Sequence, residues 1–323
     1  MIKISDIQKG ARILRSEGFI PLIRKIPDYL EWRAYKTLEP VFKWNFEQNY
    51  GSGLDVIEQD WDNLILLDCA RYDYFKEYTG FDGELSRVVS RGRGSWEFIR
   101  DNFAGREIHD TVYVTANPHP ERLEQDVFYT VETVLDKWDP KTGTVPPKAV
   151  TEAAIEAQEK YPNKRLIVHY MQPHTPHLGE TAQNLDADLA QPGFDKFAGR
   201  DGVEKRKEGE KIFALYEDGQ ISKSTLQRSY RENLELVEAD VKELVASLRG
   251  KTVISADHGE NLGETIFGIT LTAHGSQSKE VRFVPWLELP FEERKTITAE
   301  SPIGFEYLEE EFVEDRLVDL GYL

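Results

Sequence analysis

The segment Val253-Ile254-Ser255-Ala256-Asp257-His258-Gly259-Glu260 joins an apolar run to two side chains that bind metals. The β-branched residues before Ala256 predict a buried strand. A carboxylate and an imidazole follow at once, and both are common ligands of divalent ions. This segment therefore predicts a strand that delivers Asp257 and His258 to its C-terminal end.

Two other apolar runs end in the same way. Leu64-Ile65-Leu66-Leu67 stops at Asp68, and residues 166–171 lead to His174 and His177. Open α/β sheets bind their ligands outside the carboxyl ends of the strands. We therefore expect these side chains to meet in one crevice.

Strand and helix signals alternate from residue 62 onward. This rhythm predicts an α/β fold with a doubly wound, mainly parallel sheet and helices on both faces. The predicted strands are 63–68, 111–115, 165–171, the strand that ends at residue 256, and 281–289. The predicted helices are 72–78, 96–103, 148–160, 224–248 and 306–320. Residues 118–147 hold five prolines and are predicted to be mostly irregular, with a helix around 121–138 as the alternative.

Two regions depart from this alternation. In residues 1–50, Lys and Arg alternate with apolar residues, which predicts an N-terminal amphipathic helical arm ahead of an α/β domain over 51–323. The arm either packs on the acidic body or makes a peripheral membrane contact through residues 1–45. Residues 178–222 are polar and rich in glycine, so we expect a cap insertion over the mouth of the active site.

Composition narrows the functional classes. The 323 residues include 58 Asp and Glu against 40 Lys and Arg, a net charge of −18, which argues against a nucleic-acid partner.

Apolar runs long enough to span a membrane are absent from the sequence, and so is a signal core at the N-terminus. A cytoplasmic location is expected, with a peripheral position on the inner membrane face as the alternative. Cys69 is the single cysteine, so it forms no internal disulfide and is expected in the core.

Asp68, Asp257 and His258 together offer two carboxylates and one imidazole. This mixed set favours Zn²⁺ or Mn²⁺, with Mg²⁺ and Ca²⁺ as alternatives. Ser95 would fill or border the open position, where a metal would activate its hydroxyl as a nucleophile. The start of its helix also favours a bound anion such as phosphate. Two alternatives stay open: Ser95 is a helix N-cap, or the nucleophile is Ser90 before the same Gly-rich turn.

Other polar residues lie on the same side of the predicted sheet. His174, His177 and His274 fall in loops, where they can bind a second metal, contact phosphoryl oxygens or protonate a leaving group. His169 lies within a strand, and we expect it to be satisfied in the core. Arg71 either binds an anionic substrate or is an exposed helix residue.

Together these motifs resemble the alkaline phosphatase superfamily, nearest its sulfatase-like branch. The matching segments, in chain order, are Leu67–Asp73, Ser95 after its Gly-rich turn, His169–His177, Ala256–Glu260 and His274-Gly275. The resemblance implies a doubly wound α/β fold and a metal-bound hydroxyl or formylglycine that attacks a phosphate or sulfate ester in line. It implies that the first metal is held by Asp68, Ser95, Asp257 and His258. It also implies that His174 and His274 contact substrate oxygens or hold a second metal.

The chain departs from the family pattern in two places. The segment Ser95-Trp96-Glu97-Phe98-Ile99-Arg100 lacks the proline of a formylglycine motif, and its arginine is one position late. An unmodified serine is then expected, which favours phosphoryl over sulfuryl transfer. The segment with His174 and His177 carries no carboxylate, so one metal site is expected and a second stays open. The pattern is closer to that of the one-metal phosphoglycerol and phosphoethanolamine transferases.

The sequence thus predicts a metal-dependent hydrolase or transferase of phosphate monoesters or diesters. Ser95 would be the nucleophile, and His274 or His174 would assist the leaving group. One alternative is a sulfatase acting on sulfated glycans, and another is a non-hydrolytic accessory protein in surface polysaccharide assembly. The expected partner is a small-molecule or glycan ester, and the oligomeric state is open.

Overall fold

The computed structural model describes residues 37–124, 126–189, 211–266, 269–305 and 307–320. The predictions for residues 1–36 of the arm and for residues 190–210 of the cap lie outside these ranges.

A seven-stranded sheet lies at the centre of the described chain. Its spatial order is β2-β9-β6-β1-β5-β3-β4, with five parallel strands from β6 to β4 and with β9 antiparallel to both neighbours. The strands are β1 (Asn63–Leu67), β2 (Glu84–Val89), β3 (Ile108–Thr115), β4 (Phe128–Thr133), β5 (Arg165–Tyr170), β6 (Thr252–Ser255) and β9 (Phe283–Glu288). A separate antiparallel hairpin consists of β7 (Asn261–Ile266) and β8 (Ile269–Ala273).

Helices cover both faces of this sheet. They are α1 (37–50), α2 (Tyr72–Tyr78), α3 (Ser95–Phe103), α4 (Pro147–Lys160), α5 (Glu180–Leu189), α6 (Lys211–Glu217), α7 (Lys223–Ser247), α8 (Lys279–Arg282) and α9 (Glu310–Asp319). Side chains alternate along a strand, so β1 serves two cores. Ile65 and Leu67 pack in the cluster that includes α4 and α7, whereas Leu64 and Leu66 pack in the cluster that includes α3.

The predicted α/β class, with a mainly parallel sheet and helices on both faces, is confirmed. The alternative of a helix around 121–138 is wrong, because this segment holds β4 between two short 3₁₀ turns, His119–Arg122 and Leu135–Lys137. The sequence Phe-Tyr-Thr-Val-Glu-Thr of β4 is rich in aromatic and β-branched residues, which suit a pleated strand better than a helix. Strand β2 and the hairpin β7–β8 were also absent from the prediction.

Strand order decides where the polar side chains gather. β1 lies between β6 and β5, with Leu66 beside Ser255 and Leu67 beside Tyr170. These three strands are parallel, so the segments that follow them leave the sheet at one edge. Asp68 is tied to the segment after β5 by two main-chain hydrogen bonds, from its own N–H to Tyr170 O and from the His174 N–H to Asp68 O.

Helix α1 is the part of the predicted arm that the structure describes. Its Phe46 and Tyr50 rings contact the ring of Phe283, while Leu38, Val41 and Trp44 are exposed. Among the described helices, none is both long and apolar enough to cross a membrane. The membrane contact of residues 1–45 stays a prediction.

The buried centre of β1 makes a direct test of this packing. Replacing Leu64, which is fully buried, by Ala should lower the free energy of unfolding by about 2–5 kcal/mol, because the cavity adds to the lost burial. The matched control Leu38→Ala removes the same atoms from a side chain that is 48% exposed. It should change the free energy of unfolding by about 0.5 kcal/mol or less. Urea unfolding measures both variants, and equal losses would contradict the assigned core.

Candidate metal centre

Ser95 lies at the meeting point of the side chains that the sequence singled out. Its Oγ is 2.7 Å from Asp257 Oδ2, 3.1 Å from Asp68 Oδ2 and 3.4 Å from His258 Nε2. All four side chains are fully buried. The residues predicted for the first metal are therefore in mutual contact at the end of β1 and β6.

The charge of this cluster indicates a cation. Asp68 and Asp257 are both 0% exposed, and burying carboxylates is costly unless positive charge compensates them. His258 Nε2 lies 3.5 Å from a carboxylate oxygen of each, and His169 Nε2 lies 3.5 Å from Asp257 Oδ2. Carboxylate and ring-nitrogen atoms of Asp68, His169 and Asp257 lie within 4.8 Å of one another. This oxygen–nitrogen donor set fits a divalent ion such as Zn²⁺ or Mn²⁺.

Outer contacts hold the donors in place. His258 Nδ1 contacts the main-chain oxygen of Gly259 at 2.9 Å, so Nε2 is the ring nitrogen that faces the carboxylates. Asn117 Nδ2 donates to Asp68 Oδ2 at 2.9 Å, and the His258 N–H donates to Asp257 Oδ1 at 2.8 Å. Hydrogen bonds of this kind fix the orientation of metal ligands and raise their affinity.

The carboxyl of Asp257 stays ionised in this environment. Burial alone would raise its pKa, but the charge of His258, hydrogen bonds from His169 and Ser95 and the charge of His169 outweigh burial and lower the pKa below its ordinary value. Asp257 therefore provides the negative charge that a metal ligand needs at neutral pH.

The two candidate serines have different roles in the structure. The N-cap of α3 is Gly94, so the N-cap alternative for Ser95 is wrong and its hydroxyl is directed into the cluster. Ser90 Oγ donates to the main-chain oxygen of Asp257 and accepts from the Gly92 N–H at 3.0 Å. These contacts support the loop, and they favour Ser95 over Ser90 as the nucleophile.

A second group of side chains lies beside the first. The His274 ring is 4.8 Å from the His258 ring and 5.4 Å from the His174 ring, between centroids. Glu260, 2% exposed, places Oε1 3.5 Å from His274 Nδ1. Cys69 Sγ lies 3.6 Å from His258 Nδ1 and 3.9 Å from His274 Nδ1.

The two loop histidines differ in charge. Burial lowers the pKa of His174, which keeps its ring neutral. Burial would also lower the pKa of His274, but the hydrogen bond and the charge of Glu260 outweigh it, so the pKa of His274 is raised. His274 is therefore the better proton donor of the pair.

Two predicted residues lie outside these contacts. His177 Nδ1 forms a hydrogen bond with Ser229 Oγ at 2.9 Å. Burial lowers the pKa of His177 to about 3. It belongs to none of the donor groups that the described residues form. Arg71 is buried and binds Asp73, Glu264 Oε1 and the main-chain oxygen of Glu260, so its contacts favour a supporting role over substrate binding.

Sequence reasoning missed several residues of this site. His169 was expected to be satisfied in the core, yet it faces Asp257 and receives support from the Tyr113 hydroxyl at 2.8 Å. Asn117 follows β3 by two residues, so the rule that placed Asp68 at a strand end could have found it. Glu260 stands two residues after His258 in the same motif, which was a further signal.

Comparison with known proteins gives distant likenesses. No protein-family model matches the chain, and no curated protein sequence does. The integral membrane lipooligosaccharide phosphoethanolamine transferase A from Neisseria meningitidis is 13% identical, with a TM-score of 0.44, over 88% of this chain and 59% of that one. The C-terminal periplasmic domain of EcEptC from Escherichia coli, solved with Zn, is 12% identical, with a TM-score of 0.41, over 73% and 75%.

A third structure holds a sulfated sugar. It is a complex with the substrate D-glucosamine-2-N,6-O-disulfate, 12% identical, with a TM-score of 0.44, over 80% of this chain and 76% of that one. At this level of identity, residue roles have to come from the geometry of this chain's own site.

The Tyr113–His169 contact predicts an effect on metal affinity. Tyr113→Phe removes the hydroxyl that orients His169 toward Asp257 and should weaken metal binding by about tenfold or more. Tyr170→Phe is the matched control, since it removes an equally buried hydroxyl that bonds Thr151 in the other core. Calorimetric Zn²⁺ titration of both variants compares them, and equal affinities would show that His169 does not support the site.

Proposed function

We propose that this chain is a metal-dependent enzyme of the sulfatase-like branch of the alkaline phosphatase superfamily, acting on phosphate esters through Ser95. The contact of Ser95 Oγ with Asp68, Asp257 and His258 carries this proposal. Neither helix capping nor core packing explains why the buried Ser95 hydroxyl contacts two carboxylates and an imidazole. The arrangement is that of a nucleophile held inside a metal-ligand set.

Asp68, Ser95, Asp257 and His258 would hold the metal, with Zn²⁺ or Mn²⁺ the best fit to the donor atoms. When bound, the ion lowers the pKa of the serine hydroxyl and stabilises charge on a phosphoryl oxygen. His169 is close enough to Asp257 to orient that carboxylate or to join the ligand set.

The start of α3 provides the place for the phosphoryl group. Its N-cap, Gly94, has no side chain with which to cap the helix. The N–H groups of a first helical turn and the helix dipole favour an anion at this end of a helix. Ser95 is the first residue of α3, so an anion bound there lies against its hydroxyl.

His274 is suited to protonate the leaving oxygen. Its raised pKa keeps a proton on the ring, and its side chain is 20% exposed where His258 is fully buried. Ser95 would release its hydroxyl proton to solvent, and Oγ would then attack phosphorus while the ester oxygen departs on the opposite side with the proton from His274. Hydrolysis and transfer share this half-reaction and differ in whether water or another hydroxyl accepts the phosphoryl group.

We infer that the substrate is a small-molecule or glycan ester. The matched structures include phosphoethanolamine transferases and a complex with a disulfated glucosamine, which supports this class. The cap at 178–222 and the arm at 1–50 would select among such esters. The cytoplasmic location stays a prediction, and so does the division into an arm and a domain over 51–323.

The two serines provide a matched pair of variants. With Mn²⁺ or Zn²⁺ and an aryl phosphate, Ser95→Ala should lose turnover by about 10³-fold or more, because the attacking oxygen is removed. Ser90→Ala should stay within about tenfold of wild type, since Ser90 only supports the loop. Full turnover in Ser95→Ala would refute the nucleophile assignment.

The same assay with sulfate esters tests the two alternative functions. Hydrolysis of an aryl sulfate in preference to the phosphate would favour the sulfatase alternative, as would a formylglycine found by mass spectrometry at Ser95 or Cys69. Inactivity on both esters by a metal-loaded protein would favour the accessory-protein alternative.

A further inference from the structure

An arginine and a tryptophan lie together beside the proposed nucleophile. Trp96 directly follows Ser95 in the first turn of α3, and the guanidinium carbon of Arg122 lies 4.3 Å from the centroid of the Trp96 ring. The ring of His119 is also near this tryptophan, 6.1 Å away between centroids. Trp96 is partly buried and Arg122 is exposed. The pair therefore connects the start of α3 with the 3₁₀ turn His119–Arg122, one residue from Ser95.

The turn that carries Arg122 is anchored in the metal centre. Asn117 precedes this turn, and its Nδ2 donates to Asp68 Oδ2 at 2.9 Å while its Oδ1 accepts from the His119 N–H at 2.9 Å. Burial and the charge of Arg122 lower the pKa of His119 to about 3, although the charge of Asp257 acts in the opposite sense. Arg122 is therefore close enough to the metal centre that its charge and that of Asp257 act on the same ring.

The charge of Arg122 has no carboxylate partner. Among the described residues, Arg122 forms no ion pair and donates no hydrogen bond. Its neighbour Glu121 instead accepts from the Leu308 N–H at 3.2 Å. Arg294 also lies over an aromatic ring, but it pairs with Asp62 at 2.8 Å. In a chain with a net charge of −18, an unpaired guanidinium is a local positive centre that favours an anionic ligand.

The tryptophan prepares this arginine for binding. Contact with the indole ring favours one position of the Arg122 side chain without pairing its charge with a carboxylate. An arginine that is already held in place loses less conformational freedom when it binds a ligand. Its planar fork of N–H groups matches the oxygens of a carboxylate, phosphate or sulfate. These properties suit Arg122 for recognising an anionic group next to the reacting phosphate.

We propose that Trp96 and Arg122 form a subsite for a second anionic group of the substrate ester. The reacting phosphate lies against Ser95, and the second group, a carboxylate, phosphate or sulfate, accepts hydrogen bonds from the Arg122 guanidinium. The substrate class is thereby narrowed from esters in general to esters that carry at least two acidic groups. The inference rests on the proposed function, because it takes the phosphate to bind at Ser95.

Matched aryl phosphates test this subsite, because a carboxylate and a carboxamide differ in charge but hardly in shape. The probes are meta- and para-carboxyphenyl phosphate and the two corresponding carbamoylphenyl phosphates. Calorimetry measures their dissociation constants on the metal-loaded Ser95→Ala protein, which lacks the attacking oxygen. We expect the carboxylate of at least one pair to bind about tenfold or more tightly than its carboxamide, because it gains a charge-assisted hydrogen bond. The same preference should appear in kcat/KM of the wild type.

Four further variants, made in the same background, assign the preference for the carboxylate. Arg122→Ala should reduce it to about twofold or less, and Arg122→Lys, which keeps the charge but not the planar fork, should retain part of it. Trp96→Leu removes the supporting ring and should lower it by about two- to fivefold. Arg87→Ala is the matched control, since Arg87 is an exposed arginine 4.3 Å from the Phe283 ring, and it should keep the full preference. A general loss of affinity cancels, because the preference compares two ligands on one protein.

Three results would overturn the subsite. The first is equal binding of carboxylate and carboxamide in both pairs before Arg122 is changed, which is independent of how any Arg122 variant folds. The second is an unchanged preference in a folded Arg122→Ala protein, and the third is an equal loss in Arg87→Ala. Turnover without a charge preference would refute the subsite alone. A charge preference that depends on Arg122, in a metal-loaded wild type that hydrolyses none of the four esters, would support the subsite and refute the proposed function.

Discussion

The burial of three carboxylates at one edge of the sheet is the constraint on which the rest of the site depends. Asp68, Asp257 and Glu260 are each at most 2% exposed, and all three face histidines instead of lysines or arginines. Histidine is charged only in part at neutral pH, so it offsets the negative charge of such a cluster weakly. A divalent ion resolves this imbalance, and the same ion would serve the chemistry of Ser95.

The fold provides this constraint through strand order. β1 lies between β5 and β6, so the residues after three separate strands converge, although Asp68 and His258 are far apart in the chain. Helix α3 then adds Ser95 at its first turn, and the hairpin β7–β8 returns His274 to the same place. The buried Arg71 precedes α2 and pairs with Glu264 of β7, so it links the segment after β1 to the hairpin β7–β8.

The sequence was sufficient for five of the seven sheet strands, β1, β3, β5, β6 and β9, and for the expectation that Asp68, Ser95, Asp257 and His258 lie together. Apolar runs that end in carboxylates located Asp68 and Asp257, because parallel strands of one sheet end at a common edge. His169, near the end of β5, could not be assigned, since periodicity does not show which face of a doubly covered strand points to a polar site. His169 therefore looked like a core residue. β4 was not predicted, because its strand signal is one short segment in a region with five prolines.

Residues that act through contacts distant in the sequence were beyond prediction. The contact of Glu260 with His274 depends on the hairpin that returns His274 to the site, and the backbone turn at Cys69 is held by the Tyr230 hydroxyl. Arg71 carries a charge suited to an anionic substrate, yet Asp73 and Glu264 occupy its guanidinium. Such pairings are set by tertiary packing, so the motif that contains Glu260 does not show which side chain it contacts.

The central claim is that the carboxylate cluster holds a metal, and elemental analysis of the purified protein tests it most directly. Wild type should carry about one or two equivalents of Zn or Mn. Asp257→Ala should lose the metal at the first site, whereas Asp82→Ala, which removes an exposed carboxylate outside the site, should retain the wild-type content. Absence of metal from all three proteins, even after reconstitution with Zn²⁺ and Mn²⁺, would contradict the account.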